Sequence, residues 1–297
     1  MNLINFLFIF LFSVHLWSNA VNLQYKNIQI VAAQKDEKIA KIIAINLDQD
    51  IADFQKKIGF YDDEKINILI AKNADEYLSW TKNHATIIEF SDAFYSNHDK
   101  VIYLKNIRNL HNLTKIRTII LHEYIHHFIN NHANKTPLWF NEGMAVYFSG
   151  GWNLNREFNF IKNYFLGNTV PLEMMKYGYP KNQIEWGSFY AKSTLALKYL
   201  VINRQKSFFS FWNCLEQSKD FNSAFNESFF FTQKDFSALF EEYARNHFHA
   251  EVFMASSSVI WGILPIVLII GFVRKKIKNR KIVKNWQAIK EIKDERI

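Results

Sequence analysis

Cysteine is almost absent from this 297-residue chain, which contains only Cys214. A single cysteine excludes an internal disulfide, a cysteine-based zinc finger and a Cys-x-x-Cys redox site. Any bound metal must therefore be held by histidine and carboxylate side chains. Cys214 lies between Phe211 and Leu215 in a helical pattern, which predicts a small residue packed on a helix.

Proline and glycine are also scarce, at four and nine residues, so the chain has few obvious breaks. No internal repeat or low-complexity linker interrupts residues 21–252, and we predict that this stretch forms one body. Apolar residues make up 49% of the sequence and are ample for a packed core. That composition excludes disorder of the chain as a whole.

Residues 1–273 have almost no net charge, although the whole chain has a formal charge of +8. Residues 274–297 contain ten Lys or Arg against three acidic residues, a net of +7, which leaves about +1 for residues 1–273. A nearly neutral body has no electrostatic footprint for nucleic acid, so no nucleic-acid partner is predicted. The sequence indicates no oligomeric state.

The first segment without charge is residues 1–20, which run through an apolar stretch to the small residues Ser18 and Ala20. This pattern predicts a signal peptide that exports the following domain. No Lys or Arg precedes the apolar stretch, so an uncleaved anchor and a buried first helix are the alternatives.

The second uncharged segment, residues 253–273, ends abruptly at Arg274, Lys275 and Lys276. About 20 apolar residues can span a bilayer as a helix, and basic clusters stay on the cytoplasmic side. We therefore predict a transmembrane helix at 253–273, with 274–297 as a cytoplasmic tail and a buried core helix as the alternative. The expected location is the cytoplasmic membrane, with residues 21–252 on its outer side.

Apolar periodicity divides the body into two halves. Strands are predicted at 28–32, 65–70, 86–90 and 101–104, a helix at 36–58, and mainly helices from Leu113 onward. The sequence thus predicts an α+β fold with an N-terminal mixed α/β half and a C-terminal helical half, plus the C-terminal transmembrane helix.

Two histidines, His122 and His126, are four residues apart in a predicted helix over 114–131. This spacing places both imidazoles on one helical face, where they can bind one zinc ion. Glu123 adjoins the first histidine and is the candidate general base for a metal-activated water. His127 is one step further round the helix, and we predict a surface or capping role for it.

The next predicted helix supplies a carboxylate, Glu142, sixteen positions after His126. Thr136 is its predicted N-cap and Pro137 its first residue. A short antiparallel turn could bring Glu142 beneath the histidine pair. Two histidines and one carboxylate with an open fourth position form a catalytic zinc arrangement, with one Zn²⁺ per chain.

The combined pattern is His122-Glu123-x-x-His126 followed by Pro137-x-Trp139-Phe140-x-Glu142-Gly143-x-Ala145-x-Tyr147. It resembles the peptidase MA-like gluzincin domain, and weaker similarity extends the resemblance to about residues 25–248. The resemblance implies a zincin-like metalloprotease domain, zinc, and a tyrosine that stabilises the oxyanion, for which Tyr190 is the candidate. A Gly-x-Met-x-Asn sequence is lacking, so an endopeptidase is favoured over an aminopeptidase.

The resemblance further implies a peptide or unfolded protein substrate that pairs with an edge strand, for which 86–90 and 101–104 are the candidates. The alternative function is a non-catalytic, membrane-anchored domain that binds zinc or peptides without hydrolysis. A hydrolase of cell-wall peptides is a third hypothesis.

Overall fold

A computed structural model of the protein describes residues 20–84, 92–109, 112–151, 157, 160, 163–164, 169–180, 183–247 and 257–294. Five strands are present in this part of the chain: β1 (Ala20–Tyr25), β2 (Ile28–Ala33), β3 (Ile66–Ile70), β4 (Ala93–Ser96) and β5 (Val101–Leu104). The helices are α1 (Glu37–Ile58), α2 (Ala74–His84), α3 (Leu113–His132), α4 (Leu138–Phe148), α5 (Gln183–Asn203), α6 (Gln205–Ser218), α7 (Phe221–Phe229), α8 (Gln233–His247) and α9 (Ser257–Asp294).

The strands form one mixed sheet in the order β1-β2-β3-β5-β4. Strands β2, β3 and β5 are parallel, whereas β1 and β4 run antiparallel to their neighbours β2 and β5. The central strands are almost continuously apolar because both of their faces are covered. Strand β4 lies at the edge beside α3.

Helix α1 packs against β2 because its buried residues recur on one face, from Ala40 through Leu47 and Phe54 to Ile58. It ends at Gly59, whose φ of 70° places the backbone in the left-handed region that glycine adopts at little cost. The helix predicted at 36–58 and the strands predicted at 28–32, 65–70 and 101–104 are confirmed within one or two residues.

Helix α3 lies between the sheet and the helical part of the molecule, so it is buried on most sides. Its first turn is capped by Asn112, whose side chain accepts hydrogen bonds from the backbone N–H groups of Thr114 and Lys115. Beyond it, α4 packs along α5, and α6 packs along α7. Cys214 on α6 is half-buried against the core, as predicted.

The α+β fold class predicted from the sequence is wrong. The described chain is mostly helical, with only one small mixed sheet. Its strands contain four to six residues each, whereas eight of the nine helices contain eleven or more. Helices therefore form most of the core, and the sheet serves as one wall for α1 and α3. The strand predicted at 86–90 lies outside the described residues.

The predicted transmembrane helix at 253–273 is also contradicted. Among the described residues, no helix combines the length and the apolar character needed to cross a membrane. Helix α9 continues from Ser257 through the basic cluster to Asp294.

The remaining predictions about the chain ends are untested. The predicted signal peptide, except Ala20, lies outside the described residues, as do residues 248–256 and 295–297. Membrane association and the location of the protein stay predictions of the sequence.

Candidate metal centre

His122, His126 and Glu142 come together where α3 faces α4. The Nε2 atoms of His122 and His126 lie 3.6 Å and 3.8 Å from Oε2 of Glu142. One ligand atom from each of the three residues lies within 4.8 Å of the others. The two rings are nearly perpendicular, with centroids 4.8 Å apart, so both can direct Nε2 at one point. This group could hold a metal ion.

The turn between the helices brings Glu142 into place. Helix α3 ends at Ala133, and α4 begins at Leu138 with Pro137 as its N-cap, so the predicted N-cap Thr136 is one residue too early. The Thr136 hydroxyl is buried without a partner among the described residues. A hydrogen bond of 2.8 Å from Leu138 N to Lys176 O ties the start of α4 to a later segment.

The carboxylate of Glu142 is almost completely buried, with 2% of the residue exposed. Burial by itself raises the pKa of this group, but His126, His122 and the Tyr179 hydroxyl outweigh it and hold the pKa below the usual value. Glu142 is therefore ionised in the interior, and its negative charge faces the two imidazoles.

One oxygen of Glu142 has no hydrogen-bond partner in the described part of the chain. Oε1 accepts the hydroxyl of Tyr179, whereas the buried Oε2 accepts nothing. Oε2 lies 3.6 Å and 3.8 Å from the two imidazole nitrogens, beyond hydrogen-bond length, and a buried charged oxygen without a hydrogen bond costs a few kcal/mol, as a rough figure. A cation beside Oε2 and the two Nε2 atoms would remove that cost, so the donor set fits a metal ion.

The tautomer of His126 also fits a ligand role. Its Nδ1 lies 2.7 Å from Oδ1 of Asn141, an oxygen that can only accept a hydrogen bond. Nδ1 is therefore the donor in this contact, and in the neutral imidazole Nε2 carries the lone pair on the side of Glu142. Hydrogen bonds of this kind orient metal-binding histidines in proteins.

Glu123, the predicted general base, is buried beside the candidate metal ligands. Its Oε2 accepts a 2.8 Å hydrogen bond from the backbone N–H of Tyr95 on the edge strand β4. Burial raises the pKa of Glu123 to about 7, and the charge of Glu142 adds to the rise, while His126 and the Tyr95 N–H oppose it. The carboxyl group is thus balanced between its two protonation states near neutral pH.

Tyr190, the predicted oxyanion stabiliser, lies on α5 with its ring 6.1 Å from that of Trp186. It is close enough to the site to raise the pKa of Tyr179 by electrostatic interaction. Its catalytic role stays a prediction.

Sequence reasoning missed Tyr179, the tyrosine that contacts Glu142 directly. Burial and the neighbouring Glu142 raise its pKa far above the usual range, so the hydroxyl keeps its proton as a donor. No motif marks this residue. It lies thirty-seven positions after Glu142, and only the tertiary fold places it beside that residue.

His127 corrects another prediction, because it is a buried residue and not a surface or capping one. Only 3% of it is exposed, its Nε2 lies 3.0 Å from the Asn131 amide, and its ring packs against that of Tyr95. Burial lowers its pKa to about 4. His127 is enclosed because α3 packs against β4, where Tyr95 lies.

Comparison with known proteins gives no match, either to a protein-family model or to a curated protein.

Proposed function

We propose that this protein is a zinc metallopeptidase that hydrolyses peptide bonds within flexible or unfolded polypeptides. The observation that carries the proposal is the buried, unpartnered Oε2 of Glu142, which faces Nε2 of both His122 and His126 beside the carboxyl group of Glu123. The resemblance of these residues to the gluzincin pattern agrees with this arrangement.

Zinc is the proposed metal because two imidazoles and one carboxylate, with a fourth position for water or substrate, form its usual catalytic ligand set. When bound, the ion supplies a Lewis acid that activates water and polarises the substrate carbonyl. His122, His126 and Glu142 would hold it, and the Asn141 contact keeps His126 in the tautomer needed for binding.

Glu123 is proposed to move the protons of the reaction. Its carboxylate takes a proton from the attacking water and delivers it to the nitrogen of the departing amine. Both transfers need a carboxyl group beside the activated water, and Glu123 adjoins the candidate ligand His122 on α3. The Tyr95 N–H holds the carboxylate at the edge of the sheet. Tyr190 is the proposed oxyanion donor.

The proposed substrate position is the outer edge of β4, which pairs with no further strand among the described residues, so that an extended peptide could add to it by backbone hydrogen bonds. Strand β5 (Val101–Leu104), the earlier candidate, lies between β3 and β4, so both of its edges are occupied. Pairing through the main chain needs an unfolded segment and favours an endopeptidase.

The test compares the full-length protein with Glu123→Gln, recording zinc per chain and cleavage of an unfolded protein substrate. We expect about one zinc in both proteins and a loss of cleavage of at least about 100-fold in the variant, the usual share of a general base. The matched control is Glu227→Gln on the exposed face of α7, which should keep full activity.

Each alternative outcome has a definite meaning. Zinc in both proteins with cleavage in neither contradicts hydrolysis and supports a non-catalytic zinc- or peptide-binding domain. Equal cleavage by both proteins refutes the role of Glu123. Absence of zinc from the wild type refutes the proposed metal.

A further inference from the structure

Tyr179 reaches the metal centre from a segment outside the helices that carry the ligands. It follows the short 3-10 helix Leu172–Met175, and its hydroxyl donates a hydrogen bond to Oε1 of Glu142. We propose that Tyr179 is a positioning residue that orients the Glu142 carboxylate for metal binding. This inference rests on the proposed metal site and adds a determinant of its affinity.

A glutamate needs such an anchor because its terminal torsion is soft. The carboxylate rotates about its last carbon–carbon bond within a broad energy well, so burial alone does not fix the direction of either oxygen. The Tyr179 hydroxyl holds Oε1, and Oε2 is then left facing the Nε2 atoms of His122 and His126. Without the hydroxyl, zinc would have to order the carboxylate when it binds.

The ring of Tyr179 is itself held rigidly by α5. It stacks on Trp186 with a centroid distance of 5.3 Å and an interplanar angle of 15°, and it also contacts Phe189. Trp186 donates its indole N–H to the backbone oxygen of Pro180 at 2.9 Å. Trp186 thus holds the backbone of Pro180 by this hydrogen bond and the ring of Tyr179 by stacking.

Helix α5 contacts both Tyr179 and the helix that carries Glu142. Helix α5 packs along α4, where Glu142 lies, and the two helices are in tight contact at Gly143, the residue after this ligand. The Leu138 to Lys176 backbone hydrogen bond joins α4 to the segment leading to Tyr179. Any movement of this segment relative to α4 would therefore change the direction of the carboxylate.

The test measures zinc affinity in the full-length Tyr179→Phe variant by competition with a chromophoric chelator. Loss of a hydrogen bond to a ligand typically weakens metal binding by about 10- to 100-fold, and we expect a decrease in this range. The matched control is Tyr177→Phe, because Tyr177 is two residues away and 88% exposed. It should bind zinc like the wild type.

A spectroscopic measurement separates positioning from general stabilisation. The visible absorption of bound Co²⁺ depends on the geometry of its ligands, so Tyr179→Phe should change the spectrum while Tyr177→Phe leaves it unchanged. Trp186→Phe keeps both the hydroxyl and Glu142 but removes the hydrogen bond to Pro180. It should weaken zinc binding by a smaller factor, and it decides the question if Tyr179→Phe does not fold.

Wild-type zinc affinity and an unchanged Co²⁺ spectrum in folded Tyr179→Phe would overturn the inference. Unchanged affinity with lost cleavage would also overturn it, because the tyrosine would then act on the substrate. A wild-type protein that binds no zinc would instead refute the proposed function, so the two failures are distinguishable.

Discussion

At the scale of single residues, burial determines which histidines are neutral. His127 follows His126 in the sequence, but its ring is enclosed by Tyr95, Tyr124 and Asn131. Enclosure lowers its pKa to about 4, below the 6.5 that is usual for histidine. A histidine with a lowered pKa stabilises the fold above pH 6.5, and this contribution is lost as the pH falls towards 4.

We therefore expect His127→Gln to reduce the acid sensitivity of the fold. In the wild type, protonation of His127 should remove about 3 kcal/mol of unfolding free energy between pH 7 and pH 4. The measurement is urea unfolding of metal-free protein across this range. His98→Gln is the control, since the His98 side chain is 87% exposed. Equal pH dependence in wild type and His127→Gln would show that His127 titrates normally.

At the scale of elements, the contact between α4 and α5 places Glu142. Gly143 permits this contact, because a Cβ atom there would lie 2.5 Å from the backbone oxygen of Ser193. Backbone atoms cannot turn aside as a side chain can, so a larger residue must separate the helices. The glycine follows the metal ligand directly, which couples helix spacing to the site.

Gly143→Ala should therefore lower both stability and metal affinity. We expect a loss of about 1–3 kcal/mol in unfolding free energy, the usual cost of overpacking, with weaker zinc binding as Glu142 shifts. Gly187→Ala on α5 is the matched control, because nothing lies within 4 Å of its added Cβ. It should leave zinc binding intact and raise stability by up to about 1 kcal/mol. Identical behaviour of the two variants would contradict this account.

At the scale of the whole molecule, a buried ion pair joins the helical layers. Lys192 of α5 is 1% exposed, and its Nζ lies 2.5 Å from Glu241 of α8 and 2.7 Å from the backbone oxygen of Val170. Burial lowers the pKa of Lys192, and Glu241 counteracts this shift. The pair connects α8 to the segment that leads to Tyr179.

Removing one partner of this pair should be costly. We expect Lys192→Met to lower the unfolding free energy by about 3 kcal/mol, because Glu241 would be left without its cation. The double variant Lys192→Met/Glu241→Gln should recover part of the loss. Chemical unfolding of the wild type, Lys192→Met, Glu241→Gln and the double variant gives the coupling between the two positions. An undiminished loss in the double variant would show that the effect comes from packing.

The sequence by itself predicted the residues of the candidate metal group, because the spacing of His122 and His126 depends only on helix geometry. It also predicted several local elements, such as α1 and β5, from apolar periodicity. Helix spacing and local secondary structure depend on residues that are close together in the sequence.

Only the tertiary structure decided the rest. Tyr179, the burial of His127 and the edge position of β4 depend on contacts between residues far apart in the chain, which periodicity does not record. The transmembrane prediction came from composition alone, and among the described residues no helix is both long and apolar enough to span a membrane. Local sequence patterns indicate which side chains could form a site, and long-range packing determines which of these side chains are in contact.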